Sequence, residues 1–177
     1  MSDQFFNYRP FYDYVSGITH YKRCVEIGCY TGASTAYLAT RLLARQLPFE
    51  FYAVDLWDKV NTETDYDRII DTPIWLEFTA RLQRDNLLQH VRVMQKESAA
   101  AAANFEDGTV DFAFIDANHD EAHVEADALA WLPKIKTGGM LSGHDYGEPC
   151  GVKAAVDKLF PGKISLMGTC WYMFNIQ

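Results

Sequence analysis

The sequence predicts one open, doubly wound α/β domain whose mostly parallel sheet of seven strands ends in an antiparallel hairpin. Short β-branched and aromatic runs alternate with segments of 3.6-residue apolar period, the pattern of parallel strands joined by helices that cover both faces of a sheet. The alternation breaks only near the C-terminal end, where two strand-like runs meet at a two-residue link. A length of 177 residues and 49% hydrophobic content suit a single core, so one domain is expected over residues 1–177.

The elements follow in order. Residues 1–20 read as an N-terminal extension. Its first ten residues lack a basic start and an apolar run, so no signal peptide is expected. Arg23 to Ile27 is the first strand and runs into the glycine-bearing turn Gly28 to Gly32. A helix begins at Ser34 and buries Thr35, Leu38, Ala39 and Leu42 at i, i+3, i+4, i+7. Phe51 to Asp55 is the second strand. Trp57 to Asp71 is polar and aperiodic, a candidate lid loop on the ligand side that carries Trp57 and Tyr66. Thr72-Pro73 opens a helix with Ile74, Trp75, Phe78 and Leu82 on its buried stripe. Val91 to Gln95 is the third strand, and Ser98 caps a short alanine-rich helix. Val110 to Ile115 is the fourth strand. A helix from Asp120 buries Val124, Ala128, Trp131, Leu132 and Ile135 and stops at Gly138-Gly139. Gly139 to Ser142 is the fifth strand, and Val152, Ala155, Val156 and Leu159 mark the last helix. Lys163 to Met167 and Cys170 to Ile176 form the terminal hairpin around Gly168-Thr169.

Charge and composition narrow the partners. A formal net charge of −8 and the absence of a Lys/Arg cluster disfavour nucleic acid and anionic membranes. A small-molecule partner and a cytoplasmic location are expected. Cys24, Cys29, Cys150 and Cys170 show neither C-x-x-C spacing nor disulfide density, so reduced thiols are the default. The stretch Val25 to Thr35 holds E-x-G-x-x-x-G rather than the G-x-G-x-x-G turn that cradles a pyrophosphate. That difference argues against NAD and suits a ligand with an adenosine but no phosphates.

Four segments in this order and spacing, VEIGCYTGAST, FYAVDLW, FAFIDANHD and GGMLSGHDYGEPCGVKAAV, resemble the class I S-adenosylmethionine-dependent methyltransferases. The resemblance runs from about Arg23 to Phe160. It implies their Rossmann-like sheet and, within the superfamily, similarity to the small-molecule O-methyltransferases, of both catechol type and bacterial sugar and antibiotic tailoring type. It also implies that Glu26, Gly28, Tyr30, Gly32 and Ser34 wrap the methionine end of the cofactor, that Asp55 holds the ribose, that Ser98 touches the adenine and that Asp116 borders the cofactor. A carboxylate ending the second strand can accept hydrogen bonds from both ribose hydroxyls, whereas Ser98 is equally explained by capping its own helix.

Methyl transfer from a sulfonium requires an aligned oxygen nucleophile and removal of its proton. Asp116 after the fourth strand and Asp145 after the fifth share one rim of the sheet, where two carboxylates could hold Mg²⁺, Mn²⁺ or another ion. His144 stands where metal-dependent relatives place an acidic residue. It makes Asp116, His144 and Asp145 a set better suited to Mn²⁺, Fe²⁺ or Zn²⁺, or leaves His144 a base or a substrate contact. His119 takes the position of the catalytic lysine of catechol-type relatives and is the first choice of base; its bland alternative is a helix-end histidine. His20, His90 and His123 read as surface residues, and Trp131 as core packing. The expected activity is methylation of a hydroxyl on a small molecule, a sugar or natural-product scaffold, by an acceptor site left open or completed by a second copy in a homo-oligomer. The competing class is a cofactor-binding module or partner subunit without catalysis.

Overall fold

A computed structural model describes residues 6–57 and 73–176. Seven strands form one sheet: β1 (Arg23–Ile27), β2 (Glu50–Asp55), β3 (Arg92–Gln95), β4 (Val110–Ile115), β5 (Ile135–Gly143), β6 (Ser165–Met167) and β7 (Cys170–Phe174). Their order is β3-β2-β1-β4-β5-β7-β6. The first five are parallel and β7 is antiparallel to both β5 and β6. This is the expected sheet. The order reverses between β1 and β4, and in open parallel sheets ligands bind beyond the strand ends at such a switch point.

Among the described residues six helices cover the sheet: α1 (Arg9–Gly17), α2 (Ala33–Ala44), α3 (Ile74–Arg84), α4 (Ser98–Ala102), α5 (Glu121–Trp131) and α6 (Val152–Leu159). Phe11, Tyr12, Leu38, Leu42 and Phe78 pack with Phe112 and Phe114 in one core cluster. Val124, Ala128, Trp131 and Val156 pack with Val110, Ala113, Ile115 and Trp171 in the other. From Phe112 to Ile115 the split follows the period-2 alternation of β4, and Val110 joins the second cluster across the register shift between Val110 and Phe112.

Several boundaries depart from the sequence reading. The helix expected to run to Gly138-Gly139 ends at Trp131, because Pro133 supplies no N–H and a 3₁₀ turn, Leu132–Lys134, follows. Ile135 is buried as the first residue of β5, paired with Val110, and not as part of a helical stripe. Pro73 itself occupies the N-cap position of α3; Thr72 lies outside the described residues. Ser98 is the first helical residue of α4 and Glu97 its N-cap. The extension contains an unforeseen helix, α1, with Pro10 in its first turn and Phe11, Tyr12 and Val15 buried. Of the candidate lid, only Trp57 falls within the described residues. No described helix is long and apolar enough to cross a membrane.

Candidate active site

The turn after β1 is held by backbone groups. Gly28 has φ +83°, and a Cβ there would lie 2.0 Å from the backbone oxygen of Asp116, so only glycine lets the turn touch the end of β4. Gly32, with φ +78°, sits at the N-cap of α2 against the Phe78 ring. Asp55 is the organiser between them. Its Oδ2 accepts from the amides of Cys29 at 2.7 Å and Tyr30 at 2.9 Å, and its Oδ1 from the amide of Trp57 at 2.8 Å. Three amides on one carboxylate fix the turn's shape before any ligand arrives. Tyr30 and Trp57 are both left-handed, at φ 45° and 49°, and the Trp57 indole donates to the Tyr30 carbonyl at 3.0 Å. Such strain persists only where the surroundings enforce it, and here Trp75 and Phe78 pack against Trp57.

Glu26 lies directly beneath this turn and is fully buried. Tyr12 donates to its Oε1 at 2.7 Å and Thr35 to its Oε2 at 2.5 Å. Burial pushes its carboxyl up to about 7, against the opposing hydrogen bonds of Thr35, Ser34 and Tyr12. Ser34 is buried beside Tyr8 and Glu26. Ser98 accepts from the Trp131 indole at 2.9 Å, so its hydroxyl joins α4 to α5. Trp131 is fully buried, as expected of a core residue.

The second half of the site stands at the ends of β4 and β5. The register Ile115↔Gly143 brings Asp116 level with His144 and Asp145. His119 Nε2 lies 2.9 Å from Asp145 Oδ2 and 3.6 Å from Asp116 Oδ1. His144 Nδ1 lies 3.0 Å from Asp145 Oδ1 and 3.7 Å from Asp116 Oδ1. Two carboxylates and two imidazoles thus interlock. Asp116 and Asp145 together push His119 up to about 10. Burial works against the charge on His144, but the same carboxylates outweigh it and hold His144 at about 9. Burial would raise both aspartates; the two imidazoles reverse this and hold them below the usual carboxylate range. His119 is therefore an imidazolium at neutral pH in this arrangement, not the ring near its unperturbed value that the base assignment assumed. Asn118, one residue before His119, accepts from the Asp120 amide at its Oδ1.

One atom is out of balance. The His119 side chain is 43% exposed, yet its Nε2 is buried and makes no hydrogen bond, because the nearby carboxylate oxygens lie off the N–H direction. Asp116, His144 and Asp145 each offer one ligand atom, all within 4.8 Å of one another. Two carboxylate oxygens and an imidazole nitrogen, beside a second imidazole without an aligned partner, fit a divalent ion of borderline character better than Mg²⁺.

Sequence reasoning missed the residues that close this rim from behind: Asn7, Tyr8 and Thr169. The extension carried a usable signal, since Pro10 followed by Phe11, Tyr12 and Val15 is a helix start with an apolar stripe. Nothing in a linear pattern tied it to Asp116.

A sheet reversed between β1 and β4, with a glycine turn and an acidic rim meeting at that reversal, defines the class I methyltransferase architecture. The chain belongs to the family described as methyltransferase domain, whose model matches residues 25–146. A protein of Sinorhizobium fredii described as uncharacterized protein y4gI is 27% identical over 124 residues, 70% of this chain. The match spans only 13% of that relative's length. Among solved structures, the O-methyltransferase NovP superposes with TM-score 0.73 at 17% identity, covering 96% of this chain and 78% of that one. An O-methyltransferase from Bacillus cereus, solved in complex with SAH, superposes with TM-score 0.63 at 17% identity, covering 98% and 82%. At these identities the structures establish the fold.

Proposed function

We propose that this chain transfers the methyl group of S-adenosylmethionine to a hydroxyl oxygen of a small molecule, a sugar or natural-product scaffold. The observation that carries the reading is the contact between Gly28 and Asp116: the backbone of the turn packs against the backbone of Asp116 and Ala117 with no room for a Cβ, so the turn and the rim are neighbours at one end of the sheet. An acceptor lying against the rim would then be next to a sulfonium held by the turn. Gly28, Tyr30, Gly32 and Ser34 form the methionine side, with Glu26 buried beneath them on Tyr12 and Thr35, Asp55 the ribose side and Ser98 the adenine side.

In the transfer, a lone pair of the acceptor oxygen forms the new C–O bond while the S–CH₃ bond breaks. Its electrons pass to sulfur, leaving neutral S-adenosylhomocysteine. The acceptor's proton must leave as well. With His119 held as an imidazolium and both Asp116 and Asp145 held below the usual carboxylate range, the rim as it stands is a weak proton acceptor. A divalent ion held by Asp116, His144 and Asp145 would supply Lewis acidity to an acceptor hydroxyl and, by engaging both carboxylates, free His119 to act as base. The charge balance of the chain, −8 overall, supports a small acceptor over a polyanion.

The test is calorimetry with S-adenosylmethionine and NAD⁺, followed by radiolabelled methyl transfer to a panel of hydroxylated sugars and phenols with and without EDTA. Binding of S-adenosylmethionine with EDTA-sensitive transfer is expected, and His119→Ala should cost on the order of 10²-fold to 10⁴-fold in rate. Tighter binding of NAD⁺ would overturn the reading. Cofactor binding with no transfer to any acceptor class would favour the non-catalytic module.

A further inference from the structure

Three segments distant in sequence meet behind the carboxylates and imidazoles of the rim. Tyr8, just ahead of α1, is buried, and its hydroxyl donates to Asp116 Oδ2 at 2.9 Å. Its ring packs on His144 with centroids 4.5 Å apart and on Phe114 at 4.9 Å. The preceding residue, Asn7, places its Oδ1 3.0 Å from His144 Nε2. Thr169, in the link between β6 and β7, places its hydroxyl 2.8 Å from the same nitrogen.

These contacts sort the atoms of the rim. A carboxamide oxygen only accepts, so Nε2 is the ring nitrogen of His144 that carries a proton toward Asn7. Nδ1 is then the nitrogen turned to Asp145 and Asp116. Asp116 divides in the same way: Oδ2 belongs to Tyr8, while Oδ1 faces both imidazoles. What remains pointing inward is one oxygen of Asp116, Nδ1 of His144 and the carboxylate of Asp145. A proton on Nδ1 answers the two carboxylates in the rim as it stands, and a divalent cation lying among these three groups would take that proton's place.

We propose that Asn7 and Tyr8 are positioning residues for a divalent cation: Asn7 fixes the tautomer and ring orientation of His144, and Tyr8 fixes the rotation of Asp116, so that both present ligand atoms to one point. The inference deepens the reading of the rim given under Proposed function and rests on it. A ligating histidine typically donates its second ring N–H to a fixed acceptor, and loss of such a partner costs roughly 10-fold to 100-fold in metal affinity. Both residues come from the short stretch ahead of α1, so the N-terminal segment is part of the site and not an appendage to it.

The test is Mn²⁺ titration of the purified full chain, followed by the electron paramagnetic resonance signal of free Mn²⁺, with calorimetry of S-adenosylhomocysteine and thermal melting in parallel. Tyr8→Phe keeps the ring on His144 and Phe114 and removes only the hydroxyl. It should weaken Mn²⁺ on the order of 10-fold or more while leaving S-adenosylhomocysteine affinity and melting near wild type. Asn7→Leu should act in the same direction, and Asn7→Asp, which keeps an acceptor oxygen, should retain Mn²⁺ binding. Should Tyr8→Phe fail to fold, the Asn7 pair decides. Equal Mn²⁺ affinity in wild type, Tyr8→Phe and Asn7→Leu overturns the inference, as does a parallel loss of Mn²⁺, cofactor product and melting temperature. A wild type that binds S-adenosylhomocysteine but no Mn²⁺ overturns it too and leaves the methyltransferase reading standing. A wild type that binds no S-adenosylhomocysteine defeats that reading instead, whatever Mn²⁺ does.

Discussion

The two halves of the site are built on opposite plans. The turn after β1 is held by backbone amides converging on Asp55 and by left-handed residues, within residues 26–57. The rim is held by side chains from Asn7, Tyr8, Asp116, His119, His144, Asp145 and Thr169. Backbone-held geometry suits a ligand whose shape never changes. Side-chain geometry can be re-aimed by single substitutions, and that suits the half proposed to meet the acceptor.

The largest expected effect comes from the point where the halves touch. Gly28→Ala places a methyl 2.0 Å from the Asp116 carbonyl at a positive φ, so it should cost more than about 3 kcal/mol of stability and damage both halves at once. Thermal melting with cofactor and Mn²⁺ titrations checks this; a variant that loses one kind of binding and keeps the other would show the halves to be independent.

Glu26 sharpens the comparison through pH. Its folded value near 7 lies above the ordinary 4.5, so the native state holds a proton that the unfolded chain has already released. Stability therefore falls as pH rises from about 4.5 through about 7, by roughly 3 kcal/mol for this one group. Above pH 6.5 the raised histidines add a loss of the same sign, so the clean window is pH 5 to 6.5. Denaturant melts of Glu26→Gln across that window should be flat relative to wild type; equal slopes would remove Glu26 as the source.

Asp55→Ala removes a carboxylate that serves three amides and is assigned to the ribose. Cofactor affinity should weaken by about 1.5 to 3 kcal/mol, while Mn²⁺ binding at the rim should persist. Calorimetry that finds unchanged cofactor affinity in a folded variant would sink the ribose assignment. The smallest effect is expected from Trp57→Phe. It deletes the indole bond to the Tyr30 carbonyl and should cost about 1 kcal/mol of stability with the rim untouched.

The same contrast explains what could be read from the sequence. Val25, Ile27, Gly28, Gly32 and Asp55 announce themselves locally, because period-2 burial and left-handed turns leave marks in neighbouring residues. The strands from Arg23 to Ile27 and from Val110 to Ile115 fall where the pattern puts them. The end of α5 was misplaced because Leu132 and Ile135 continue the apolar spacing, and only Pro133 shows that the helix has stopped. The rim was legible in its residue types but not in its balance. Mutual ion pairing of Asp116, His119, His144 and Asp145, which moves His119 far from its ordinary value, depends on the Ile115↔Gly143 register. Asn7, Tyr8 and Thr169 left no linear mark, since each meets its partner only after the sheet has closed.

The bond from Tyr8 to Asp116 spans 108 residues and that from Asn7 to His144 spans 137. Contacts of such separation form late, because the intervening chain must first surrender its freedom. During synthesis the glycine turn, α2 and β2 can take shape while the ribosome still holds β5. The rim waits for nearly the last strand, so the turn takes its shape well before the side chains across from it are in place.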